Sequence, residues 1–395
     1  MSYVIFSFLL LSTGFDTLAF NTPVGSFRIS IILFMLAFAW LAVKREIKID
    51  TKESALLVLL FISMLASAYF SFLPMRSVSY ICWFFICYAF YFGVAKSFTK
   101  MITYEGVLKT VRITGRLQII ICGVMALVGV ERPSLFYYEP SYFVIALVPY
   151  IYYSLGFFKN GKVTKFSAVD VFLLVVLLFV SMSANLMLAI LITACFHYIR
   201  LEIKYVFIMV VGVLIVWGFT QWYYKTHDDL LAVTLANIYQ STDVLSAILE
   251  RTGNRWPRMQ LGIDVAREYM LTGVGLGTFS DFSLSYSSAY DYAKGMVWNE
   301  PRGFPATNIF VELLAEGGVW VLLCFISFLL YIFRAPRFLD DSHERDQFFE
   351  WRRVSIILLL LLCIESSLLR PYFWFYLGIL SGLSSIKIKG KFVDE

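Results

Sequence analysis

Residues 306–333 read ATNIFVELLAEGGVWVLLCFISFLLYIF, and this stretch decides the fold class. From Val319 to Phe333 no residue is charged. The whole stretch 306–333 is long enough to cross a bilayer, which takes roughly 20 mostly apolar residues. Thr307 or Asn308 is placed to cap the helix. Glu312 and Glu316 stand four apart, so they share one face of an otherwise apolar segment. Ionisable groups in such a place are costly and usually face a partner or a cavity. Glu365 and Asp16 are further examples.

The same reading extends outward to the whole chain. Its 395 residues are 59% hydrophobic and 15% charged. A soluble domain carries roughly 45–50% apolar and about 25% charged residues. A water-soluble globule is excluded. Apolar runs at 3–20, 27–43, 54–73, 78–95, 117–130, 141–158, 168–182, 185–198, 205–220, 306–333, 353–369 and 371–386 predict about twelve spans. Residues 1–20 lack a basic start and contain Asp16, so they read as an uncleaved first span, not a signal peptide. The expected fold is an all-α polytopic membrane protein: nine spans in 1–220, a structured loop in 221–305, and three spans plus a tail in 306–395.

Charge placement gives the orientation. With the N-terminus in the cytoplasm, 22 of the 33 Lys and Arg fall in cytoplasmic segments. Only Arg28, Arg76, Arg132 and Arg370 fall at short loops and span ends on the other side. That asymmetry obeys the positive-inside rule and requires an even number of crossings, with both termini cytoplasmic. The net charge of +5 is therefore a topology signal, and nucleic acid is not an expected partner. All six cysteines sit in apolar runs and the three histidines are scattered, so neither a disulfide framework nor a metal site is encoded. No cofactor is expected.

The loop at 221–305 falls on the outer face. A connection this long is uncommon unless functional. It is rich in aromatic residues, and 229–239, 243–250 and 258–271 read as amphipathic helices, the last ending at Thr272-Gly273. Arg251, Arg255 and Arg258 lie within eight residues of one another around Trp256. Such a cluster suits a phosphate or diphosphate clamp, or else a solvated loop that uses arginine for solubility. Arg302 in the same loop, with Arg132 and Arg370 at outer span ends, are further candidate phosphate contacts. Tyr138-Glu139-Pro140-Ser141 precedes the sixth span. Glu139 could act as a general base or orient hydroxyls, or it could serve helix N-terminal electrostatics with Pro140 in the first turn. Gly273-Val274-Gly275-Leu276-Gly277 lacks the spacing and preceding strand of a dinucleotide-binding loop. His227-Asp228-Asp229 reads as a helix cap, and no nucleophile-elbow triad is present.

Taken together, these stretches resemble the O-antigen polymerase (Wzy-type) family and the related O-antigen ligases. Glu139-Pro140-Ser141 resembles an EPS-type element. Val180-Ser181-Met182-Ser183-Ala184-Asn185-Leu186 resembles a serine-rich turn between close spans. Arg255-Trp256 followed by Gly273–Phe279 resembles an arginine-then-GxGxGxF region, and Thr307-Asn308 with Glu312–Gly318 resembles an HN…LAExG helix entry. Ligases carry a histidine, their expected base, where this chain has Thr307, which favours the polymerase, with Glu139 as a substitute base.

The resemblance implies a GT-C-like, metal-independent glycosyltransferase of the bacterial inner membrane. It would join undecaprenyl-diphosphate-linked oligosaccharide repeat units at the periplasmic face. Glu139 and Arg255 are the expected catalytic residues; Arg251, Arg258, Arg132, Arg302, Trp256, Asn308 and Arg370 are the expected substrate contacts. Trp256 and its aromatic neighbours would stack on sugars, and apolar grooves would hold lipid tails. Membrane lipids and a chain-length regulator are the partners this family admits. The alternatives are an O-antigen ligase and a transporter of the same lipid-linked glycans. Against the transporter, no internal repeat is visible.

Overall fold

A computed structural model describes residues 2–22, 25–47, 50–156, 166–181, 183–198, 255–285, 305–334, 342–366 and 368–384, with a few helical positions between 217 and 239. These are overwhelmingly helical. In chain order the helices are α1 (Ser2–Ser12), α2 (Ile29–Val43), α3 (Thr51–Tyr69), α4 (Pro74–Met101) and α5 (Tyr104–Leu127). They continue as α6 (Pro140–Ala146), α7 (Val148–Leu155), α8 (Ala168–Ser181), α9 (Ala184–Tyr198), α10 (Arg255–Glu268) and α11 (Phe279–Ser285). The last three are α12 (Ile309–Phe333), α13 (Ser342–Leu362) and α14 (Pro371–Ser384). A two-stranded hairpin, β1 (Ala19–Thr22) with β2 (Gly25–Arg28), pairs Ala19 opposite Arg28 and Thr22 opposite Gly25.

Four of these helices, α3, α4, α5 and α12, are long and apolar enough to cross a membrane, and shorter apolar helices accompany them. The chain is thus an all-α membrane protein, but the described residues do not give twelve full-length spans. The first expected span, 3–20, stops at Ser12, and the following residues turn into the hairpin around Asp16. The sixth is two short helices meeting at Leu147, just before Pro149, which has no N–H for the helical ladder. The eleventh ends its helix at Leu362, leaving Glu365 beyond the helix end. The fifth is longer than expected and starts at Tyr104. The 243–250 helix lies outside the described residues, as do most of the expected ninth span and most of 229–239.

Two charges expected in loops lie instead within helices, where carboxylates of other helices neutralise them. Arg116 on α5 forms a two-pronged pair with Asp170 of α8, 2.7 Å at each prong, and Tyr150 and Ser167 donate to the same carboxylate. Lys96 on α4 is buried against Glu53 of α3 at 2.8 Å, with Tyr88 and Ser381 donating to that carboxylate. A charge so partnered need not mark a loop. At the centre lies α14, enclosed on every side. Gly378 and Gly382, one turn apart, let it approach α4 closely: a Cβ at Gly382 would come within 2.9 Å of the Lys96 carbonyl.

The stretch that decided the fold is broken in its middle. At Gly318 the backbone adopts φ 74° and ψ −178°, and residues 270–279 thread into the gap. Val274 N–H donates to the Ala315 carbonyl at 3.0 Å, Gly275 N–H to that of Glu316 at 2.8 Å, and Val319 N–H to that of Met270 at 2.8 Å. The Glu316 carboxylate accepts from Gly277 N–H at 2.8 Å and Phe279 N–H at 3.1 Å. A Cβ on Gly318 would collide with the Leu271 carbonyl, and one on Gly275 with Ser71. Interrupted helices survive in membranes where the freed backbone groups find partners, and here another segment supplies them.

Candidate functional site

Three segments meet at one end of the bundle around a cavity of about 250 Å³. Its walls are Arg132, Glu139, Pro140, Ser141, Ser183, Asn185 and Arg255. Each wall residue arrives by a simple local device. Glu139 and Ser141 flank the proline that starts α6, where its missing N–H costs nothing. Ser183 and Asn185 flank the residue that opens α9, after the small polar turn that ends α8. Arg255 is the first residue of α10, and Arg132 sits in the α5–α6 connection with φ +48°.

The chemistry of this lining is that of an anion site with one base. Two guanidiniums, two hydroxyls and a side-chain amide surround the space. The first residues of α9 and α10 also border it, and helix N-termini favour negative charge. Glu139 is exposed and accepts a hydrogen bond from Ser141 Oγ at 3.2 Å. Behind Arg255, Glu365 takes its Nη2 at 2.7 Å. Thr307 Oγ1 donates to the Arg255 carbonyl at 2.9 Å, tying the start of α10 to the approach to α12.

Of the residues expected at the site, Arg132, Glu139 and Arg255 line one cavity. Arg258 is directed elsewhere, its guanidinium donating twice to the Pro305 carbonyl, at 2.7 and 3.0 Å. Asn308 caps α12, its side-chain oxygen accepting from Phe310 and Val311 N–H. Arg370 pairs with Asp16 at 2.9 Å, which also pairs with Arg28, and it stacks 4.0 Å over Tyr142. Trp256 is half-buried on α10. Arg251 and Arg302 lie outside the described residues.

Sequence reasoning missed Ser141, Ser183 and Asn185 as wall residues. The signal was available, since small polar residues interrupt two apolar helices at 181–185. It also left the partners of Glu312 and Glu316 open. Glu312 accepts from Ser366, and Glu316 is taken by the glycine loop. Among the described residues no group of three or more His, Cys, Asp or Glu stands close enough to share a metal ion.

Residues 169–326 match the family model described as O-Antigen ligase. That span contains Ser183, Asn185, Arg255, the threaded glycine loop and the broken half of α12, whereas Arg132, Glu139 and Glu365 lie outside it. No curated protein matches the chain. Over residues 169–326 the chain is therefore similar to the O-antigen ligase family, which is consistent with the resemblance carried by its motifs.

Proposed function

We propose that the protein is a polysaccharide polymerase of the bacterial inner membrane. It joins undecaprenyl-diphosphate-linked oligosaccharide repeat units by glycosyl transfer at the periplasmic face. The observation that carries this reading is the single cavity shared by Arg132, Arg255 and Glu139. In the reaction the anomeric C1–O bond to the donor's diphosphate breaks, and C1 bonds to a hydroxyl oxygen of the incoming unit. The proton of that hydroxyl passes to Glu139 and then to water, and the carrier lipid leaves as its diphosphate. Charge grows on the departing phosphate oxygen, and fixed guanidiniums stabilise such charge without reorganising at the moment of reaction. Ser183 and Asn185 suit hydrogen bonds to sugar hydroxyls.

The family description favours one second reading, a ligase that transfers the same donor glycan to lipid A-core. The two differ in acceptor, not in how the leaving diphosphate is held. The purified chain in liposomes, given lipid-diphosphate-linked repeat units, is expected to release carrier diphosphate and build a ladder of longer glycans. Transfer only when lipid A-core is added would assign the ligase. Translocation of labelled glycan with no new glycosidic bond would refute both.

A further inference from the structure

The arginine at the cavity already has an anion. Arg255 Nη2 donates to Glu365 Oε2 at 2.7 Å, and the same oxygen accepts from Asn185 Nδ2 at 3.4 Å. Among the described residues no other carboxylate lies within ion-pair distance of Arg255. The two partners are unequally covered: the Arg255 side chain is 33% exposed, that of Glu365 only 12%. The carboxylate is thus the more covered partner, and Arg255, not Glu365, lines the cavity. The pairing uses one nitrogen of a planar fork whose other N–H groups are suited to phosphate oxygens. The Arg255 backbone is held separately by Thr307, so the side chain can change partner without moving α10.

We propose that Glu365 is a positioning residue for Arg255, holding its guanidinium at the cavity and yielding it to the diphosphate of an isoprenoid-linked substrate. The inference rests on the reading of the cavity as a diphosphate site. It has a consequence opposite in sign to a structural role. The ligand competes with an internal anion, so its apparent affinity is lowered by the fraction of Arg255 already engaged. When transfer is complete, the returning carboxylate helps to displace the lipid diphosphate. Neutralising Glu365 therefore tightens diphosphate binding and slows turnover, whereas loss of a mere structural brace would weaken binding.

The test titrates the full-length protein in lipid nanodiscs with farnesyl diphosphate, and with farnesyl monophosphate for comparison. Glu365→Gln is expected to bind the diphosphate about threefold to tenfold tighter than the parent, with a smaller gain for the monophosphate. Its kcat and KM on the lipid-linked substrate both fall. Glu365→Asp, which draws the carboxylate back by one methylene, shifts binding the same way by less and serves if the Gln variant does not fold. Arg255→Ala weakens binding about tenfold or more, and the Glu365→Gln/Arg255→Ala double variant behaves like Arg255→Ala alone. If neither Glu365 variant binds more tightly while Arg255→Ala still weakens binding, the positioning role is wrong and the site stands. If Arg255→Ala binds the diphosphate like the parent, the reading of the cavity itself is wrong.

Discussion

Glu139 occupies the last position before a helix that begins with proline, and that placement leaves it exposed and reachable. Among the described residues it accepts a hydrogen bond from Ser141 Oγ, a neutral donor two residues away. A carboxylate in this setting can take a proton from an acceptor hydroxyl, and positioned bases of this kind contribute about 10²–10⁴-fold to rate. Glu139→Gln keeps the shape and the hydrogen bond but cannot accept that proton. It is expected to lower kcat by a factor in that range while leaving KM nearly unchanged, as read by steady-state glycan formation in proteoliposomes. An unchanged kcat would remove Glu139 from the chemistry. The position of Glu139 directly before a helix start was legible from Glu139-Pro140 alone. The polar interruption that carries Ser183 and Asn185 was visible too, but its meeting with Glu139 was not, because nothing local says that the α8–α9 junction folds onto the start of α6.

At the scale of the element, the broken α12 and the glycine loop form one unit. Their sequences are about 40 residues apart, and each looked incomplete alone: a glycine-rich run without a dinucleotide fold, and two carboxylates in an apolar helix. The structure joins them, with Glu316 accepting two N–H groups from the loop that enters its own helix break. Glu316→Ala would leave the Gly277 and Phe279 amides without that acceptor. An unsatisfied buried donor costs about 1–3 kcal/mol, so for the two amides a loss of about 2–6 kcal/mol is expected in unfolding experiments in detergent. A change below about 0.5 kcal/mol would mean that the carboxylate does not hold the loop. Helix starts were readable wherever a cap or a proline lay in the local sequence, as at Asn308 and Glu139-Pro140. The pairing of distant segments was not, because period and capping carry no information about which turn meets which.

For the molecule as a whole, hydropathy made the class evident while internal ion pairs blurred the span boundaries. Lys96 and Arg116 looked like cytoplasmic loop charges, yet they lie within helices and face Glu53 and Asp170. Breaking a buried pair by removing one partner leaves an uncompensated charge and costs about 3–5 kcal/mol. Lys96→Met is expected to destabilise the protein by about that amount in a detergent unfolding assay. Replacing Glu53 with Gln in the same chain should restore much of the loss, since the orphaned charge goes with it. Equal stability of Lys96→Met and the parent would mean that the pair contributes nothing to the bundle.

The central claim is that the Arg255 guanidinium, at the start of α10 and in one cavity with the α5–α6 and α8–α9 junctions, stabilises the diphosphate leaving the glycan. Its most direct measurement is single-turnover release of carrier diphosphate from a lipid-linked repeat unit by the protein in proteoliposomes, comparing the parent with Arg255→Ala and Arg255→Lys. Loss of one preorganised electrostatic donor lowers the rate of such a step by about 10²–10³-fold. Arg255→Ala is predicted to fall in that range, with Arg255→Lys recovering part of the rate because a point charge lacks the fork. Release by Arg255→Ala at the parental rate, in protein that inserts normally, would contradict the account.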